Sequence, residues 1–314
     1  MFLKQLKHSA EVQIMKVLLA TDFSEFSDAV LRAAEQTPWP AKTSFAVLNV
    51  VAPAVATYGW VLPSPYMEVE NESATKLVKE AAARLSAKGL DVTPVVLSGY
   101  PKQLIPEYAE EWGADLVMVG PHGASALARF LLGSVARAVL RASRCSVEIV
   151  RQTPREPGSP MKILLAIDGS ECSEQAAESI AGRAWPHGSV VRVLSVINLP
   201  PVGIDAWNTV SVIERLRTER MNVAHVWIER AARKLSAAGL EISTEVLDGN
   251  VKATIVDEAK RCGADLVVVG SHGRRGLDRM MLGSVAEVVA MHSHCSVEVI
   301  KGDADRRMPT SQVE

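Results

Sequence analysis

The chain repeats itself. MKVLLATDFSEFSDAVLRAA, beginning at Met15, is answered by MKILLAIDGSECSEQAAESI at Met161, and FAVLNVVAP by VRVLSVINLP. Further on, LDVTPVVLSG returns as LEISTEVLDG, and CSVEIVR as CSVEVIK. A chain of 314 residues is long for one core and has room for two domains of ordinary size. The repeat therefore divides it into a leader (1–14), a first domain (15–151), a linker (152–160), a second domain (161–301) and a tail (302–314). The linker QTPREPGSP is rich in proline and glycine, as exposed connections are. The tail GDADRRMPTSQVE has too little apolar content to pack and is expected to be disordered.

Composition removes several classes of function. The formal charge is −2, with acids and bases mixed along both halves, so neither nucleic acid nor a membrane surface is an expected partner. The leader MFLKQLKHSAEVQI has no continuous apolar run, nothing later reaches membrane-spanning length, and a cytoplasmic address follows. Four cysteines are too few for a disulfide framework. Cys145 and Cys295 hold equivalent places just ahead of the final strand of each half, which fits a small buried residue better than a redox pair.

Within each half, short apolar runs alternate with helix-spaced segments. That alternation implies an α/β fold: a five-stranded parallel sheet with helices on both faces. The strands are expected near Lys16–Ala20, Phe45–Val50, Asp91–Leu97, Asp115–Val119 and Val147–Val150, then near Lys162–Ile167, Val191–Val196, Glu241–Leu247, Asp265–Val269 and Val297–Ile300. Right-handed crossovers favour the doubly wound order 3-2-1-4-5, which sets strands 1 and 4 side by side at the point where the winding reverses. Ligands of open α/β sheets bind there.

At that point each half carries the same glycine loop. In GADLVMVGPHGASALARFLLGSVARAVL the glycines are Gly120, Gly123 and Gly133, followed by Ser134; in GADLVVVGSHGRRGLDRMMLGSVAEVVA they are Gly270, Gly273 and Gly283, followed by Ser284. Glycine lets backbone approach a ligand closely, and the helix that follows offers unpartnered N–H groups suited to phosphate. Asp22 and Asp168, at the ends of the first strands, would face these loops as ribose acceptors or serve as helix N-caps.

The spacing G-x-x-G-x9-G-[ST], present twice after a strand-1 Asp, resembles that of the universal stress protein family, over residues 15–151 and 161–301. The resemblance implies binding of an adenine nucleotide, ATP with Mg²⁺, in each half. Asp22 and Asp168 then contact the nucleoside, Val50 and Val196 lie by adenine, and the glycines with Ser134 and Ser284 hold ribose and phosphates. It also implies a stress-response regulator and not a dedicated enzyme, whose final strands pair either within the chain as a pseudo-dimer or between copies.

Other readings of the same residues stay open. No Gly-Lys pair stands in either loop, which disfavours a P-loop, and the glycines follow the fourth strand instead of the first, which disfavours a dinucleotide fold. His122 and His272 would carry any slow ATP hydrolysis, and a nucleotide-free scaffold using the final strands is the third alternative. His292, His294 and Cys295 lie close together, although a structural zinc normally needs four ligands. Pro121 replaces Ser271, so a ligand contact through that N–H or hydroxyl would be lost from the first site. Arg274 and Arg275, where the first half has Ala124 and Ser125, offer either a phosphate clamp or plain surface charge. The segments after strand 2, holding Trp60 and Trp207, are expected to be irregular, and Ser211–Ala238 helical and longer than its counterpart Ser73–Lys88.

Overall fold

The computed structural model describes residues 15–53, 64–123, 132–151, 156, 158–199, 209–274 and 282–302. Expectations about the leader, most of the linker and of the tail, Trp60, Ala124, Ser125, Trp207 and Arg275 lie outside these residues. In the first half the elements are β1 (Lys16–Ala20), α1 (Glu25–Gln36), β2 (Ser44–Val51), α2 (Ser64–Ser86), β3 (Asp91–Ser98), α3 (Pro101–Trp112), β4 (Leu116–Val119), α4 (Ser134–Ala142) and β5 (Ser146–Ile149). The second half repeats them as β6 (Lys162–Ala166), α5 (Glu171–Ala181), β7 (Val190–Ile197), α6 (Thr209–Ala237), β8 (Glu241–Asp248), α7 (Val251–Arg261), β9 (Leu266–Gly270), α8 (Ser284–His292) and β10 (Ser296–Ile300).

The two halves share one sheet. Its order is β3-β2-β1-β4-β5-β10-β9-β6-β7-β8, so each half has the expected 3-2-1-4-5 arrangement and the final strands join them. Pairing is parallel within each half, whereas β5 and β10 are antiparallel, with Glu148 opposite Glu298. The central strands read as apolar runs because both faces are covered: Leu116–Val119 and Val297–Val299 are buried throughout.

Side chains alternate across the sheet, and the two faces differ. On one face a single core runs through both halves, from Leu18 and Val139 through Val147 and Val297 to Val289 and Val269. On the other face the cores are separate: Val30, Phe45 and Val78 in the first half, Ile180, Val193 and Ile228 in the second. Between those two lie the buried carboxylates Glu148 and Glu298, with the buried Arg183 guanidinium paired to Glu298. The joint is also hydrogen-bonded along its edges. The Arg151 amide donates to Ser296 Oγ at 3.0 Å and the Lys301 amide to Ser146 Oγ at 3.3 Å. Arg151 Nη1 donates 3.2 Å to the Cys295 carbonyl, and Nη2 reaches the Ala290 carbonyl near the C-terminus of α8, where a cation suits the helix dipole.

One boundary differs from expectation. The helix after β2 in the first half starts at Ser64, well ahead of Ser73, so the end of the segment expected to be irregular is helical. Pro65 falls in its first turn, where a missing N–H costs nothing because that group would have no helical partner. The second-half helix, α6, is the longer of the two, at 29 residues against 23.

Candidate functional site

The loop after the first strand of each half is built by serine caps. Ser24 and Ser170 are the N-caps of α1 and α5, accepting from the amides of Ser27 and Ser173. The cap is therefore the serine, and the acid two residues earlier is not the capping group. Asp22 Oδ1 accepts from the Ser24 amide at 3.1 Å and its hydroxyl at 2.6 Å, and Asp168 Oδ1 accepts from the Ser170 amide at 3.0 Å. These bonds aim each carboxylate toward the glycine loop after strand 4. A Cβ placed on Gly123 would stand 2.7 Å from Asp22 Oδ2, and one on Gly273 2.7 Å from Asp168 Oδ2, so each carboxylate lies against its second glycine.

The third glycine of each loop opens a helix. Gly133 and Gly283 are the N-caps of α4 and α8, and neither supplies a side-chain capping bond. Their own amides are held back by the carbonyls of Pro121 and Ser271, at 2.7 and 2.8 Å, which fold the loop onto itself. The first N–H groups of α4 and α8 thus present the donors that a helix cannot satisfy internally.

In the second half these groups converge. A cleft of about 1110 Å³ is lined by Asp168, Val196, Gly270, Gly273, Gly283 and Ser284, all six residues singled out from the sequence of that half. Volumes of roughly 300–1,000 Å³ are usual for small-molecule sites. The first half has the same local geometry: Asp22 against Gly123, Gly120 packed on Phe26, Gly133 bonded to Pro121, and half-buried Val50 on β2.

The far wall of the cleft comes from α6 and holds none of the motif residues. Arg220, Val223 and Trp227 line it, and their i, i+3, i+7 spacing is the signal that places them on one helix face. Trp227 lies against Gly169, where a Cβ would sit 2.3 Å from a ring atom; Gly169 has φ +76°. The Arg274 guanidinium carbon lies over the Trp227 ring, 4.7 Å from its centre, and the Arg274 amide donates to Asp168 Oδ2 at 3.0 Å.

The loop histidines have defined partners. His272 Nδ1 lies 3.0 Å from Ser271 Oγ, and His122 packs edge-on to Phe26 at 5.4 Å. Ser271 is fully buried and its amide donates 2.8 Å to the Ile300 carbonyl, so that N–H belongs to the sheet. The N–H that Pro121 lacks in the first half is therefore a strand donor and not one aimed into the cleft. Among the described residues, no three His, Cys, Asp or Glu side chains gather to hold a metal, and no helix is long and apolar enough to cross a membrane.

The pattern of the universal stress protein family matches this chain twice, over residues 13–151 and 160–301. A universal stress protein of Mycolicibacterium smegmatis is 29% identical over 300 residues, covering 91% of this chain and 96% of its own length. One from Mycobacterium tuberculosis is 32% identical over 268 residues, covering 77% and 82%. The crystal structure of a universal stress protein from Archaeoglobus fulgidus shares the fold with a TM-score of 0.66, at 23% identity, covering 92% of this chain and 97% of that one.

Proposed function

The chain belongs to the universal stress protein family, and on that premise we propose that it is a cytoplasmic stress-response regulator that binds adenine nucleotide, ATP with Mg²⁺, in the strand 1/strand 4 crevice of each half. One observation carries the proposal: the strand-1 acid, the strand-2 valine and the glycine loop with its serine, distant in sequence, line a single cleft. Adenine lies against Val196, ribose hydroxyls donate to Asp168, and phosphates accept from the first amides of α8 and from Ser284. The first half repeats this with Val50, Asp22, Gly120, Gly123, Gly133 and Ser134.

The chemistry of the donor set suits this ligand. Each Asp oxygen in the second site already accepts one backbone amide, through Ser170 and Arg274, which fixes its orientation and leaves lone pairs for hydroxyl donors. Mg²⁺ takes its ligands chiefly from phosphate oxygens and water, so it needs no all-protein cage. His272, tied to the Ser271 hydroxyl, holds the loop, and binding is the role of the site, not turnover.

Adenine nucleotide released from the denatured protein, counted per chain before and after incubation with Mg-ATP, tests the proposal. About two per chain are expected for two filled sites, and Gly123→Val together with Gly273→Val should abolish binding, since each valine drives a methine carbon into the neighbouring carboxylate. Absence of nucleotide under both conditions would leave a scaffold, and recovery of ADP alone a hydrolase.

A further inference from the structure

The two halves share their glycine-loop motif, but the residues that match the α6 wall of the second cleft differ. Counting back from Gly239 and Gly89, which follow α6 and α2, Arg220 stands where the first half has Glu70, and Trp227 where it has Leu77. Arg274 stands where the first half has Ala124. Formal charge thus falls by two units at one matching position and by one at the other between the second half and the first.

In the second cleft these cations are held in place. Arg220 donates to the Asn198 carbonyl at the end of β7, and Arg274 is fixed at both ends, its amide on Asp168 and its guanidinium carbon over the Trp227 ring. A guanidinium over an aromatic ring is held by the cation–π attraction, which spends none of its N–H donors, and those donors suit the paired oxygens of a phosphate. Lys252 also lines this cleft, and the acids there are Asp168 and Glu219. Arg220 is on α6 and the Arg274 guanidinium reaches Trp227 of the same helix, so both cations belong to the α6 side of the cleft, which Ser284 at the start of α8 also lines.

We infer that the clefts are specialised for different ligand charge: the second selects nucleotides carrying several phosphates, through Arg220 and Arg274, and the first does not discriminate by phosphate number. The inference rests on the nucleotide-binding reading above and adds the ligand class and the residues that set it. Polyphosphate enters between the two arginines and the start of α8, and Trp227 is a positioning residue that holds Arg274 extended.

The test compares full-length chains with one cleft closed, by Gly123→Val or by Gly273→Val, titrated calorimetrically with adenosine, AMP and ATP. The chain with its second cleft open should prefer ATP over adenosine at least tenfold more strongly than the chain with its first cleft open. In the former, Arg220→Ala and Arg274→Ala should each reduce that preference roughly tenfold while leaving adenosine affinity within about twofold, as expected for a charge-assisted contact. Adenosine binding reports that each variant is folded, and Arg220→Lys with Arg274→Lys should retain part of the preference. Equal preferences in the two single-cleft chains, or one unmoved by the double alanine variant, overturn the inference alone. Failure of all three compounds to bind either chain overturns the nucleotide reading, and this inference with it.

Discussion

Glu148 on β5 stands directly opposite Glu298 on β10, both carboxylates are buried, and Arg183 pairs with Glu298. Burial raises the Glu148 carboxyl from 4.5 to about 8, the Glu298 charge adds to the rise, and Arg183 opposes it. The folded chain therefore keeps a proton there that the unfolded chain releases. That contribution to stability is complete below about pH 4.5 and is lost as pH rises through about 8. Replacing Glu148 with Gln removes the titrating group. The melting temperature of the variant should change less than that of the parent between about pH 5 and 9, and exceed it at the alkaline end. Parallel pH profiles for the two proteins would disprove this account of the joint.

The packing of Trp227 on Gly169 predicts a coupled pair. Gly169→Ala places a Cβ inside the ring's contact distance and puts an L side chain at φ +76°. The backbone strain costs about 1–2 kcal/mol and the overpacking about 1–3 kcal/mol. Adding Trp227→Leu should relieve the overpacking while leaving the strain, so urea denaturation should show a coupling energy of about 0.5–3 kcal/mol. Additive effects would mean that the ring moves aside freely. The first half supplies the precedent, with Phe23 at φ 58° and Leu77 at the matching helix position.

Pro121 makes a prediction about the first site. Because the matching amide, that of Ser271, donates to Ile300 within the sheet, Pro121→Ser should change nucleotide affinity by less than about twofold. Any gain should appear as stability, about 1 kcal/mol for one hydrogen bond. A tenfold rise in affinity at the first site would show that this residue touches ligand.

The layout of each half was legible because strand-helix alternation and crossover handedness leave few topologies, and the repeat allowed each half to check the other. The residues at the switch point followed from the same geometry: Asp168, Gly273 and Ser284 are where parallel winding puts them. Arg220 and Trp227 were not legible, since on a long amphipathic helix a tryptophan at an inward spacing reads as ordinary core. Arg183 was hidden for a different reason. Its partner Glu298 lies on a strand whose neighbours depend on how the halves join, and local periodicity does not encode that pairing. The start of α2 was obscured by Pro63 and Pro65, which read as loop residues until one of them is placed in a first helical turn.

The joint at β5 and β10 places equivalent residues face to face, which is what a two-fold axis does. Two identical chains meeting there would duplicate everything beside the axis, so a guanidinium at the position of Arg183 would come with a copy of itself. In this polypeptide the copy is Thr37, identified by the tryptophans two residues on, Trp39 and Trp185, which make the same side-chain bond to a helix carbonyl. Among the described residues, one guanidinium facing two carboxylates is an arrangement closed to an exact dimer, and it leaves an odd charge that a proton can balance. Joining the halves covalently has thus freed each to change without the other, at the axis and in the clefts alike.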